Sequence, residues 1–242
     1  GCFVSQEEAS SSNLHALVAA QKLLDDGKLD ECLAAAKAYW LKNPEDSRVV
    51  LIFARLMDEA GRSDLASKLE HLANALSEES AETAENKLTT EMFETGHALI
   101  DVRQHELAAM LLERCAKEHP SEPVINYELG FSLMSLGRYH KATRYFERAR
   151  EKQSDFDTTL NLAVCYSLTR RIDEAKGMLK LLEDLAHEDD EKKELAHRKT
   201  VLKRLERMQN KSVFTYRDWL YILYGSILLR PQIAKGKTVE GP

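Results

Sequence analysis

The sequence predicts an all-α protein built from repeated pairs of helices. Its 242 residues include only 10 Gly and 5 Pro, so turns are sparse and long stretches favour helix. A pattern of small residues and turn signals also recurs at nearly constant spacing along most of the chain. The content of 43% hydrophobic and 31% charged residues suits an elongated helical array better than a compact globule with a single core.

The clearest copy of the pattern begins near Asn126. Its marker residues are Leu129, Gly130, Gly137, Tyr139, Ala142, Phe146 and Ala149. Ala175 follows Ala142 by 33 residues, and Ala108 precedes it by 34. Cys32 and Ala66 are again 34 residues apart, whereas Ala66 and Ala108 are separated by 42. The register therefore predicts five copies, with an eight-residue insertion near residues 77–82 that forms a longer loop or helix end.

Small residues in this pattern have a packing role. Gly130 and Ala142 lie where bulkier side chains would hold two neighbouring helix axes apart, while Leu129 and Phe146 fill the layers between the helices. Gly137 suits the tight turn between the two helices. Since one helix pair cannot bury both of its apolar faces, neighbouring pairs are expected to stack.

In order and spacing, these markers resemble the tetratricopeptide repeat family. The resemblance covers copies near residues 13–46, 47–80, 89–122, 123–155 and 156–188. It implies antiparallel helix pairs stacked into a right-handed superhelical solenoid, with a concave face formed by the first helix of each pair. The resemblance also implies that the partner is a protein or a peptide.

Both ends of the chain depart from the repeat. Residues 1–12 and 231–242 are predicted to be flexible, and residues 189–230 to form a charged helix and an aromatic capping segment. The most apolar stretch is Phe214–Leu229. We expect it to cap the array, to fold back into the groove, or to form an interface with another domain or a second copy.

The same resemblance assigns the concave groove to fixed positions of the first helices. The predicted partner-binding residues are Arg48, Arg55, Phe93, His97, Ile100, Tyr127, Phe131, Met134, Leu160, Asn161 and Val164. Apolar anchors of a peptide would suit the aromatic and Met positions, and Asn161 would grip its backbone. The alternative is that Tyr127, Phe131 and Met134 are ordinary core residues.

Two further interpretations concern charge in the groove. Arg48 and Arg55 are two helical turns apart and would hold an acidic ligand group, unless they are simply solvated. The Lys and Asn residues that clamp a C-terminal carboxylate in one branch of the family are absent. Tyr127 and Phe131 occupy those positions in the fourth copy, and Leu17 and Gln21 occupy them in the first.

Composition and motifs argue against other functions. A net charge of -6 and a pI near 5.8 do not favour nucleic acid. The four cysteines are far apart and read as reduced, mostly buried thiols, so no metal or other cofactor is expected. No phosphate loop or catalytic motif is found, and we expect no enzyme activity. The longest apolar run, 219–229, is too short to span a membrane.

The leading hypothesis is thus an adaptor or scaffold that binds a partner peptide along the groove. The first alternative is a chaperone for an apolar segment of a secreted or assembling protein. The second is a helical accessory domain of a larger enzyme. We expect a cytoplasmic protein, with a processed or exported chain as the alternative, since no signal peptide is recognised.

Overall fold

The computed structural model describes the backbone of residues 6–77 and 82–209 and the side chains of residues 14–77 and 86–207. The described residues form helices only: α1 Gln6–Asp25, α2 Leu29–Trp40, α3 Ser47–Glu59, α4 Ser63–Ser77, α5 Glu82–Asp101, α6 His105–Glu118, α7 Pro123–Ser135, α8 Tyr139–Lys152, α9 Phe156–Leu168, α10 Ile172–Leu185 and α11 Asp189–Gln209. The all-α class is therefore confirmed. The apolar segment 214–229 and the tail 231–242 lie outside the described residues.

The helices follow one another in pairs. Three residues connect the two helices of each pair, from 26–28 in the first to 169–171 in the fifth. The helices of four pairs, α1–α2, α3–α4, α5–α6 and α9–α10, pack against each other, as expected of antiparallel hairpins. Each predicted repeat copy overlaps one pair, and α5 starts at Glu82, before the third copy. α1 starts at Gln6, inside the stretch 1–12 that precedes the first copy.

The insertion between the second and third copies is accompanied by a longer helix. α5 has 20 residues, whereas α3, α7 and α9, the other first helices after α1, have 13 each. Residues 78–81, which complete the connection from α4, lie outside the described residues.

Every pair turns through the same backbone conformation. The left-handed residue is Gly27, Gly61 and Gly137 in three copies, with φ between 71° and 74°. In the other two it is Arg103 (φ 59°) or Arg170 (φ 61°). In all five turns the N–H of the next residue donates to a carbonyl five residues earlier, as Arg138 does to Leu133 at 2.8 Å. This closes the first helix in a Schellman motif and directs the chain into the second helix.

The small residues of the repeat occupy buried positions on the helices. A Cβ placed on Gly96 of α5 would come within 3.1 Å of Leu112 Cγ in α6, so a larger residue would force Leu112 to shift. Ala108, Ala142 and Ala175 on the second helices are completely buried, and Gly130 is buried as well. The small residues that mark the sequence repeat are thus buried, and Gly96 shows the close approach directly for α5 and α6.

The three described cysteines are reduced and buried, as the sequence predicts. Cys32 donates to the carbonyl of Ala20 at 3.4 Å. Burial raises the pKa of the Cys115 thiol to about 11 and that of Cys165 to about 12. Such thiols are protonated at neutral pH and therefore unreactive.

Contacts divide the chain into two compact units, residues 1–132 and 133–242. The first unit contains α1 to α6 and most of α7, and the second contains the end of α7 and α8 to α11. In the part of the chain that the structure describes, no helix is both long enough and apolar enough to cross a membrane.

Candidate partner-binding face

The candidate face is formed by four positions in each first helix, counted from its small residue. These small residues are Ala20, Ala54, Gly96, Gly130 and Ala163. We name four rows by their distance from this small residue. The outer row lies six residues before it, the apolar row three before, the middle row one after and the inner row four after. The four positions lie along one side of the helix, because neighbouring rows are three or four residues apart, which is about one helical turn. We call this side the first-helix stripe.

The outer row is exposed in every copy, and two of its members are large apolar side chains. The row consists of Leu14, Arg48, Thr90, Val124 and Asp157. Val124 keeps 46% of its side chain exposed, and Leu14 keeps 52%. A position that the fold leaves open in every copy is available to a partner.

The apolar row carries a large apolar or aromatic residue in every copy: Leu17, Leu51, Phe93, Tyr127 and Leu160. Leu17 is buried, Leu51 is 45% exposed, and the other three are partly exposed. Three of the six exposed large apolar residues in the described chain, Leu14, Leu51 and Val124, lie in these rows. This face thus leaves apolar side chains exposed to solvent that the fold itself does not bury.

The middle and inner rows are largely core in the later copies. Phe131 and Val164 of the middle row and Ile100 and Met134 of the inner row are all at least nine-tenths buried. Asn161, beside the stripe, is equally buried. Of the eleven predicted groove residues, these five are therefore enclosed by the fold, while Arg48, Arg55 and His97 are exposed and Phe93, Tyr127 and Leu160 are intermediate.

Within the first unit, an ion pair joins the faces of α5 and α7. His97 Nδ1 lies 3.0 Å from Glu128 Oε1, and the pKa of His97 is raised, chiefly by this hydrogen bond. The His97 ring also stacks on Phe93 one turn earlier, with 6.5 Å between ring centroids. The same imidazole thus contacts Phe93 on α5 and Glu128 on α7. Sequence reasoning did not identify Glu128, because only the fold brings its helix beside α5.

The two predicted arginines already have carboxylate partners. Both Nε and Nη2 of Arg48 donate to Asp46, at 2.9 and 2.8 Å, and this interaction lowers the pKa of that carboxyl. Asp46 is also the N-cap of α3. Arg55 lies 3.5 Å from Asp25 of α1, and both side chains are more than half exposed. Arg48 therefore belongs to a helix cap, whereas the carboxylate partner of Arg55 lies farther from it, at 3.5 Å.

Chemically, the face offers apolar side chains bordered by a few charges. Its groups suit burial of a partner's apolar side chains rather than bond-making, since its one imidazole is held by a carboxylate. The buried Phe131 ring makes an edge contact with His105 of α6, with 6.1 Å between ring centroids, and this contact packs α7 against α6.

The helix pairs recur every 33 or 34 residues, with one separation of 42, and all five are closed by the same turn beside buried small residues. They describe one architecture. The fold is tetratricopeptide-like. No protein-family model matches the chain, and no curated protein matches its sequence significantly.

Solved structures similar to the chain include MamA from strain AMB-1, with 19% identity over 72% of this chain and 98% of that chain, at a TM-score of 0.44. MamA from Desulfovibrio magneticus RS-1 shows 16% identity over 82% and 97%, with a TM-score of 0.39. PilF of Pseudomonas aeruginosa shows 12% identity over 89% and 98%, with a TM-score of 0.44.

Proposed function

We propose that this protein is an interaction scaffold that binds a partner polypeptide against the exposed apolar stripe of the first helices in its first unit. The observation that carries the proposal is the apolar row, which is apolar in all five copies and only partly buried in four of them. Exposed helix positions are usually polar, so a repeated apolar position at the surface favours a binding role.

The first unit carries the larger part of this stripe. Leu51 on α3, Phe93 on α5, and Val124 and Tyr127 on α7 expose apolar surface there. A peptide with apolar anchors spaced along its length would bury this surface, at about 25 cal/mol for each Å² removed from water. Leu160 offers the equivalent position in the second unit.

The test uses peptides selected by display on the full wild-type chain, with affinities measured by fluorescence polarisation. Leu51→Glu and Val124→Glu are expected to weaken binding at least about tenfold each, because they place a charge in a desolvated contact. Leu181→Glu is the matched control, since Leu181 is 42% exposed but lies on the second helix α10. The proposal would be contradicted if the peptides bind Leu51→Glu and Val124→Glu as tightly as the wild-type chain. Equal loss of affinity with Leu181→Glu would contradict it as well.

The same stripe would also serve a chaperone for an apolar segment. Binding of one unstable client, whose aggregation the wild-type chain suppresses and Leu51→Glu does not, would separate that role from an adaptor that binds several stable peptides.

A further inference from the structure

A second candidate surface lies in the second unit, on helices that follow one sequence pattern. Residues 176–183 of α10 read KGMLKLLE, and residues 199–206 of α11 read KTVLKRLE. Both segments have Lys, Leu, Lys and Glu at the same four positions. On a helix this spacing places all four side chains on one face.

The two segments lie side by side and run antiparallel. Lys176 Nζ lies 2.5 Å from Glu206 Oε1, and Lys199 donates to Glu183. The first Lys of each pattern therefore pairs with the final Glu of the other. These two ion pairs hold both ends of a groove of about 460 Å³ that has approximate two-fold symmetry.

The middle of the groove combines an apolar floor with positive charge. Leu179 and Leu202 form the floor, and each is only 4% exposed. Lys180 and Lys203 stand beside them, and neither makes a hydrogen bond or ion pair within the described part of the chain. The pKa of the Glu183 carboxyl is lowered mainly by its hydrogen bond with Lys199, and the charge of Lys180 adds to this effect. The groove thus has two more ammonium than carboxylate groups, although the whole chain carries a charge of -6.

From this arrangement we propose that the α10–α11 groove binds an amphipathic acidic helix of a protein partner, one that presents an apolar residue between two carboxylates. The apolar residue would lie over Leu179 and Leu202, and each carboxylate would reach one of the two central lysines. Lysine stems add aliphatic walls to such a contact. The volume suits one or two buried side chains rather than a whole domain.

Charge disfavours the other occupants. In a symmetric dimer through this groove, Lys180 and Lys203 of one copy would meet those of the other, which is repulsive. The chain's own segment Phe214–Leu229 offers a single carboxylate, Asp218, next to Arg217. An anionic membrane surface would need a broad basic face, whereas these lysines border a groove whose ends are closed by glutamates.

The experiment uses the full chain and a labelled alanine-based helical peptide with one Leu flanked by Glu about one turn before and one turn after. Anisotropy should show saturable binding that weakens as salt is raised. The double variant Lys180→Glu/Lys203→Glu should weaken it at least about tenfold. The charge-matched control Lys192→Glu/Lys193→Glu, at two residues 57% and 76% exposed on the first turn of α11, should change it less than about threefold.

Peptide versions with Lys in place of Glu, or Ser in place of Leu, should not bind. The proposal is overturned if the wild-type chain does not bind the probe, if both double variants lose affinity equally, or if the central lysines instead control binding to phosphatidylserine vesicles or dimerisation. Leu51→Glu should leave probe binding unchanged, so this surface and the first-helix stripe fail or succeed separately.

Discussion

The close approach of α5 and α6 predicts that two glycine-to-alanine substitutions have effects of opposite sign. Gly96→Ala would place a Cβ 3.1 Å from Leu112 Cγ and 3.3 Å from Cδ2. Leu112 is completely buried and has little room to move, so the clash should cost about 1–3 kcal/mol. Alanine in place of glycine within a helix returns about 1 kcal/mol. The net expectation is a loss of about 0–2 kcal/mol.

Gly177→Ala is the matched control. Gly177 lies inside α10, and a Cβ placed there meets nothing within 4 Å. The same helix propensity should therefore stabilise the protein by about 0.5–1 kcal/mol. Urea unfolding followed by circular dichroism at 222 nm measures both variants, and the two free energies of unfolding should differ by about 1–3 kcal/mol.

A double-mutant cycle isolates the contact itself. Leu112→Ala removes both carbon atoms that the new Cβ would meet, so in that background Gly96→Ala should stabilise the protein, as Gly177→Ala does. If Gly96→Ala stabilises the otherwise wild-type chain as much as Gly177→Ala, the small residues are not what allows the helices to pack closely. If Gly96→Ala destabilises equally in both backgrounds, Leu112 is not the cause.

Two further outcomes follow from titration and burial. The folded-state pKa of His97 is raised by Glu128, so the stabilisation that this pair provides is fully present below the unfolded pKa of about 6.5 and is lost as the pH rises through the folded pKa. Because His97 is 54% exposed, His97→Gln should cost under about 1 kcal/mol more at pH 5.5 than at pH 9, where the ring is neutral and the contact with Phe93 is what is lost. Urea unfolding at the two pH values would refute this if the loss were larger at high pH. In a Cys2→Ser background the folded chain should react only slowly with Ellman's reagent at pH 8, since Cys32, Cys115 and Cys165 are buried, whereas denaturant should expose all three; rapid labelling of the folded chain would contradict their burial.

Several features of the fold could be read from local signals alone. The spacing of Ala108, Ala142 and Ala175 predicts the helix pairs, because a small residue is required wherever two helices touch closely. Glycine at 27, 61 and 137 likewise marks three of the turns. At Arg103 and Arg170 the sequence carries no such signal, yet the same turn forms, since the packing of the paired helices outweighs a backbone cost of about 1–2 kcal/mol.

The candidate surfaces also depend partly on local sequence and partly on tertiary packing. Register alone identifies which positions belong to the first-helix stripe, because register depends only on counting along the chain. It does not determine which of those positions stay exposed, which is why Phe131 and Met134 are core while Leu51 and Val124 are open. The pairing of His97 with Glu128, and of the two lysine patterns of α10 and α11, depends on which helices the fold makes neighbours. Local sequence determines the helices and the three glycine turns. Only tertiary packing determines the turns at Arg103 and Arg170 and the burial and partners of the surface residues, because these depend on residues far apart in the chain.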